Sequence, residues 1–277
     1  MPFQPRTLFS NFSTTTTTTN NKNNIGGFIL RGSTIEASDE VIGFKQLFDD
    51  ESCTYSYLLW DTSSKDAVLV DPVDVQVDRD MKEIETLGLN LVYAINTHAH
   101  ADHITGTGIL KQKISGLESV ISKSSGAKSD VQVSDGDSIV FGKQSVVVKS
   151  TPGHTQGCVS YVAGDGSFVL TGDTLLVQGC GRTDFQGGSA DLLFDSVQQH
   201  LFSCLDENTT VYPAHDYKGR THSTIGIEKE KNPRLGGNKS KAEFIDIMEN
   251  LNLSYPKMLD VAVPANMRCG LQDDDGM

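Results

Sequence analysis

Thr97-His98-Ala99-His100-Ala101-Asp102-His103 sets three imidazoles and a carboxylate directly behind an apolar run, Leu89 to Ile95. Donors this dense suit a divalent metal, and imidazole is the commonest protein ligand for one. A single histidine here would read as an ordinary hydrogen-bonded loop residue, but the other candidates are not scattered at random. His154 sits in Ser150-Thr151-Pro152-Gly153-His154, Asp173 in Leu170-Thr171-Gly172-Asp173, and His215 in Tyr212-Pro213-Ala214-His215. Each follows an apolar, β-branched run (145–148, 167–170, 209–211), so several strand ends are expected to deliver ligands to one edge of a sheet.

The chain has 277 residues, 37% of them hydrophobic, which is enough for a substantial core. Its net charge of -13 argues against a nucleic-acid surface, because phosphate binding needs clustered Lys and Arg. An anionic substrate must then be met by local arginines. No apolar stretch is long enough to cross a bilayer, so no membrane insertion is expected. Five cysteines without a Cys-x-x-Cys pair indicate neither a disulfide framework nor a zinc knuckle. Cys158 reads as a packed thiol, and Cys180 and Cys269 as packed or merely exposed ones rather than reactive thiols. Residues 1–35 hold Arg6, Lys22 and Arg31 but no acid before Glu36, with runs of Thr and Asn. This composition fits a mitochondrial transit peptide or a low-complexity leader ahead of one domain at 36–277.

Strands are expected at 44–48, 52–60, 67–70, 91–96 and 119–122, with hairpins over 138–149 and 159–170 turning at Gly142-Lys143 and Gly164-Asp165-Gly166. Helices are expected over 77–87, ending at Gly88, over 104–114, over 190–201 behind a Ser189 cap, and over 241–251. The sum is an α+β domain with many antiparallel strands, most economically two sheets packed face to face and flanked by helices. Asp71, in Val70-Asp71-Pro72, reads equally as a carboxylate orienting a ligand imidazole and as a strand-end turn residue.

The ordered set of His98, His100, Asp102, His103, His154, Asp173 and His215 resembles the metallo-β-lactamase superfamily, which implies an αββα sandwich with these residues at one edge. Gly179-Cys180-Gly181-Arg182-Thr183-Asp184-Phe185-Gln186, Pro213-Ala214-His215-Asp216-Tyr217, Asn232-Pro233-Arg234-Leu235 and Pro264-Ala265-Asn266-Met267-Arg268-Cys269-Gly270 are similar to the persulfide dioxygenases of mitochondrial sulfide oxidation. That resemblance implies oxidation of glutathione persulfide by O2 to sulfite and glutathione, in the mitochondrial matrix. It implies one Fe(II) per chain held by His98, His154 and Asp173, with His100, Asp102, His103 and His215 as polar neighbours available for proton relay. The spacing of the ligands alone leaves a dinuclear site open. Arg182, Tyr217 and Arg234 are expected to bind glutathione, or else to be an ion pair or core residues. A homodimer is a further expectation of the resemblance. The rival is a glyoxalase II type thiolester hydrolase with two metals, disfavoured because only about sixty residues follow His215.

Overall fold

The computed structural model describes residues 27–30 and 41–271. Residues 1–26 and 31–35, most of the stretch read as a leader, lie outside them. Two sheets form the centre. Apart from an early strand, β1 (Gly27–Leu30), the first half of the chain builds one sheet. Its strands lie in sequence order: β2 (Ile42–Asp49), β3 (Thr54–Asp61), β4 (Asp66–Val70), β5 (Asn90–Ile95), β6 (Glu118–Ser122) and β7 (Val131–Val133). β2, β3 and β4 are antiparallel neighbours, whereas the pairs from β4 to β7 run parallel. Parallel pairing needs crossovers, and α1 (Val77–Leu87) and α2 (Thr107–Lys113) supply two of them. Parallel strands are thus more numerous than the sequence reading supposed.

The second sheet takes the order β1, β8 (Ser138–Phe141), β9 (Gln144–Ser150), β10 (Val159–Ala163), β11 (Phe168–Leu170), β12 (Thr210–Tyr212) and β13 (Ser223–Thr224). α3 (Ala190–Asp195), continued by π turns over Ser196–Phe202, covers it with α4 (Ile225–Lys231) and α5 (Lys241–Glu249). The last helix is α6 (Leu259–Asn266).

Alternation along the strands builds the layers. In β3 and β4, Tyr57, Leu59, Val68 and Val70 face the second sheet and pack with Ile139, Phe141, Val148 and Tyr161, while Leu58, Ala67 and Leu69 face α1 and α2. Both faces are dry, which is why these strands read as unbroken apolar runs. α1 stops at Gly88, whose φ of 62° lets its N–H reach the carbonyls of Ile84 and Glu85. The two hairpins turn where expected.

Two helices depart from the expected ranges. The helix expected from 104 starts at Thr107, because the Ile104 carbonyl is taken by Asp74 N–H and the Thr105 N–H by Asn266. The helix expected over 190–201 keeps its Ser189 cap but loosens to π bonding from Ser196. β7, α4 and α6 are additions to the sequence reading.

Candidate metal centre

The C-terminal ends of β4, β5, β11 and β12, and the loop after β9, meet at one edge of the sandwich, as the ligand spacing required. They bring Asp71, the 98–103 loop, Asp173, His215 and His154 together.

His98 is buried, and its two ring nitrogens have different fates. Thr97 Oγ1 donates to Asp71 Oδ2 at 2.8 Å and so accepts from His98 Nδ1 at 3.0 Å. His98 Nε2 is left buried with no partner. Burial, with His100 and His154 nearby, holds its protonation well below the usual histidine range, so the ring presents a lone pair. His154 Nδ1 donates to the Arg182 carbonyl at 2.7 Å, which turns Nε2 to within 3.5 Å of Asp173 Oδ2. Asp173 is itself buried, yet His215, His154 and His98 hold its carboxyl far below the ordinary range. Two imidazoles and one carboxylate thus converge, their ligand atoms within 4.8 Å of one another. An orphaned buried nitrogen beside an ionised buried carboxylate is an arrangement that a metal ion completes. The chain carries a metal centre.

His100, Asp102, His103 and His215 form a second convergent group. Asp102 Oδ2 accepts from His103 Nδ1 and His215 Nε2 at 2.8 Å each. His215 Nδ1 reaches Asp173 Oδ1 at 2.6 Å, so this imidazole lies between two carboxylates. Burial opposes its charge, but Asp102 and Asp173 outweigh burial and lift its pKa well above the ordinary value. His100 is also raised against burial, chiefly by Asp71 at 3.0 Å from Nε2. Burial prevails only at His103 and lowers it.

Asp71 therefore does orient an imidazole, but the ring is that of His100 and not of the first ligand group. Its carboxylate also takes Thr97 N–H at 2.7 Å and so braces the entry to the metal loop. Three residues without a role in the sequence reading belong to the site. Thr97 passes the Asp71 contact on to His98. Thr54 Oγ1 lies 3.2 Å from Asp102 Oδ2 and 3.1 Å from His215 Nε2. Asn266 bonds the loop backbone. Gly181, in a segment already singled out, has a physical reason: a Cβ there would lie 2.7 Å from His154 Nδ1.

The three residues expected to bind glutathione differ in placement. Arg182 is committed elsewhere, with Nε and Nη2 on the Asp184 carboxylate at 2.6 and 2.7 Å and Nη1 on the Ser254 carbonyl. This is the ion-pair alternative, and it is the Arg182 carbonyl that serves the metal centre, through His154. Arg234 Nη1 donates to the Cys180 carbonyl at 3.0 Å and has no carboxylate partner among the described residues. Tyr217 is largely exposed and stacks on His215, with ring planes 3° apart. Cys158 and Cys180 are packed thiols, whereas Cys269 is partly exposed: burial pushes Cys158 up to about 12, and Cys180 to about 11 against the pull of Arg234.

This chain belongs to the metallo-β-lactamase superfamily, whose model matches residues 52–116 and 115–215. It is 52% identical over 242 residues to the mouse protein named persulfide dioxygenase ETHE1, mitochondrial, an overlap covering 87% of this chain and 94% of the mouse protein. The human protein of the same name is also 52% identical, over 228 residues, 82% of this chain and 89% of its own length. The crystal structure of ETHE1 from Myxococcus xanthus superposes with a TM-score of 0.79 at 51% identity, covering 82% of this chain and 99% of that one. Within the superfamily the chain is thereby a member of the persulfide dioxygenase family.

Proposed function

We propose that the chain oxidises glutathione persulfide with O2, using one Fe(II) held by His98, His154 and Asp173. The balance is persulfide plus O2 plus water giving glutathione, sulfite and two protons. The sulfur–sulfur bond breaks, the outer sulfur is oxidised, O2 is reduced, and water supplies the third sulfite oxygen. When bound by two imidazoles and one carboxylate, Fe(II) supplies open positions and a redox change that zinc lacks.

The protein's own groups do the rest. His215, kept charged between Asp102 and Asp173, holds a proton beside the reaction site, and Thr54 links that ring to Asp102. His100 and His103, on the same carboxylate network, complete a relay for the protons that hydrolysis of the oxidised sulfur releases. Arg234, lacking an acidic partner among the described residues, meets a glutathione carboxylate, and Tyr217 covers the mouth beside His215. Arg182 contributes mainly through its carbonyl and keeps its guanidinium on Asp184.

The observation that carries this reading is the unpartnered His98 Nε2 facing the ionised Asp173, in a chain 52% identical to persulfide dioxygenases. The second donor group keeps one rival in play, a thiolester hydrolase with two metals. Metal content and oxygen uptake separate them. One iron per chain with uptake dependent on glutathione persulfide is expected. Two zinc ions with hydrolysis of S-lactoylglutathione and a flat oxygen trace would overturn the proposal. The acid-free leader and the mitochondrial names of the mouse and human relatives support import into the matrix, and a homodimer is proposed on family grounds. Among the described residues no helix is long and apolar enough to cross a membrane.

A further inference from the structure

The loop from His98 to His103 contains no regular secondary structure, yet the centre needs its backbone fixed within a fraction of an ångström. Asn266, the last residue of α6 and only 4% exposed, spends its whole side-chain amide on this loop. Nδ2 donates to the carbonyls of His100 and His103 at 2.9 Å each, and Oδ1 accepts Thr105 N–H at 2.8 Å.

The surroundings allow no slack. Ala262 and Ala265 of α6 pack on Ile104 in a small apolar cluster of their own. Gly270, at φ 77°, lies so near the loop that a Cβ would come within 2.1 Å of the Thr105 carbonyl. Helix and loop therefore dock as one unit, with the amide as its polar centre.

We infer that Asn266 is a positioning residue for the metal centre, and that its amide clamp on the loop, not the stability of the helix that carries it, sets retention of the metal. The inference rests on reading His98 as a ligand. An aspartate at 266 keeps the shape but turns acceptors toward two carbonyls, so the loop must shift. Reciprocity then requires that removing the metal loosen the contact.

The test loads wild type, Asn266→Asp and Val261→Gly anaerobically with Fe(II) and follows iron loss to excess EDTA. Val261 is an exposed α6 residue, so its glycine variant weakens the helix without touching the clamp. Asn266→Asp is expected to lose iron about tenfold faster. Val261→Gly is expected to lose it at the wild-type rate despite a lower melting temperature, and iron removal from wild type to speed exchange of the Thr105 amide. Equal rates for wild type and Asn266→Asp, or equally fast loss from Val261→Gly, overturn the inference while leaving the metal reading intact. A wild-type chain that holds no iron overturns both. Should Asn266→Asp fail to fold, Asn266→Ala is read by the same criteria.

Discussion

The neighbours of His98 leave it a ring nitrogen that could hold a metal ion. Asp71 binds Thr97, Thr97 binds Nδ1, and the remaining nitrogen is free for a cation. Asp173 is the anionic member of the same group, and Asp173→Ala is expected to abolish metal retention, with unchanged metal content by elemental analysis counting against its role. Arg234→Ala should raise KM for the persulfide with kcat little changed, while Arg182→Ala should show the smaller KM effect, since its charge is already matched by Asp184. Asp80 lies outside the site and titrates unusually, lifted by burial to about 6 against the pull of Arg79. A carboxyl that binds its proton more tightly when folded contributes stability at low pH and loses it as pH rises through that value. Asp80→Asn should therefore match wild type near pH 4 and exceed it by about 2 to 3 kcal/mol at pH 7, read by urea unfolding at both pH values. His98, His154, Asp173 and His215 are legible in the sequence because each follows an apolar run at a polar turn. Thr54 and Asn266 are not, because their meaning lies in partners 48 and 163 positions away.

At the scale of elements, the hairpins and α1 are legible because Gly and Asp turns bound their apolar runs. α5 also announces itself, since Ser240 and Glu243 form a reciprocal cap. Ser240→Ala should cost about 1 kcal/mol of unfolding free energy and leave metal content unchanged, because the cap is remote from the donors. Elements missing from the sequence reading have equally physical reasons. β7 has only three residues, too few for a period-two pattern, and is held by parallel pairing to β6. Gly226 weakens the signal of α4, whose start is fixed by the Thr224 hydroxyl accepting Ile227 N–H. Pro264 lies inside α6, where sequence rules place a break.

Across the whole molecule, the proposed ligand group draws His98 from the loop of one sheet and His154 and Asp173 from loops of the other. A metal there ties the two halves of the sandwich, so its removal should lower stability globally. With metal at a thousandfold excess over its dissociation constant the loss is about 4 kcal/mol, roughly a 10 °C fall in Tm by calorimetry. An unchanged Tm after removal would mean that the donors hold their places unaided.

β1 pairs along β8 from Gly27 opposite Phe141 to Leu30 opposite Ser138, inside the stretch read as a leader. A processing peptidase that cut beyond Leu30 would strip this ribbon away and bare a row of backbone donors and acceptors on β8, a template for chain-to-chain adhesion. Trimming ahead of Gly27 keeps the seam closed. The position of any such cut would thus decide whether the protein meets its neighbours with a sealed border or a sticky one.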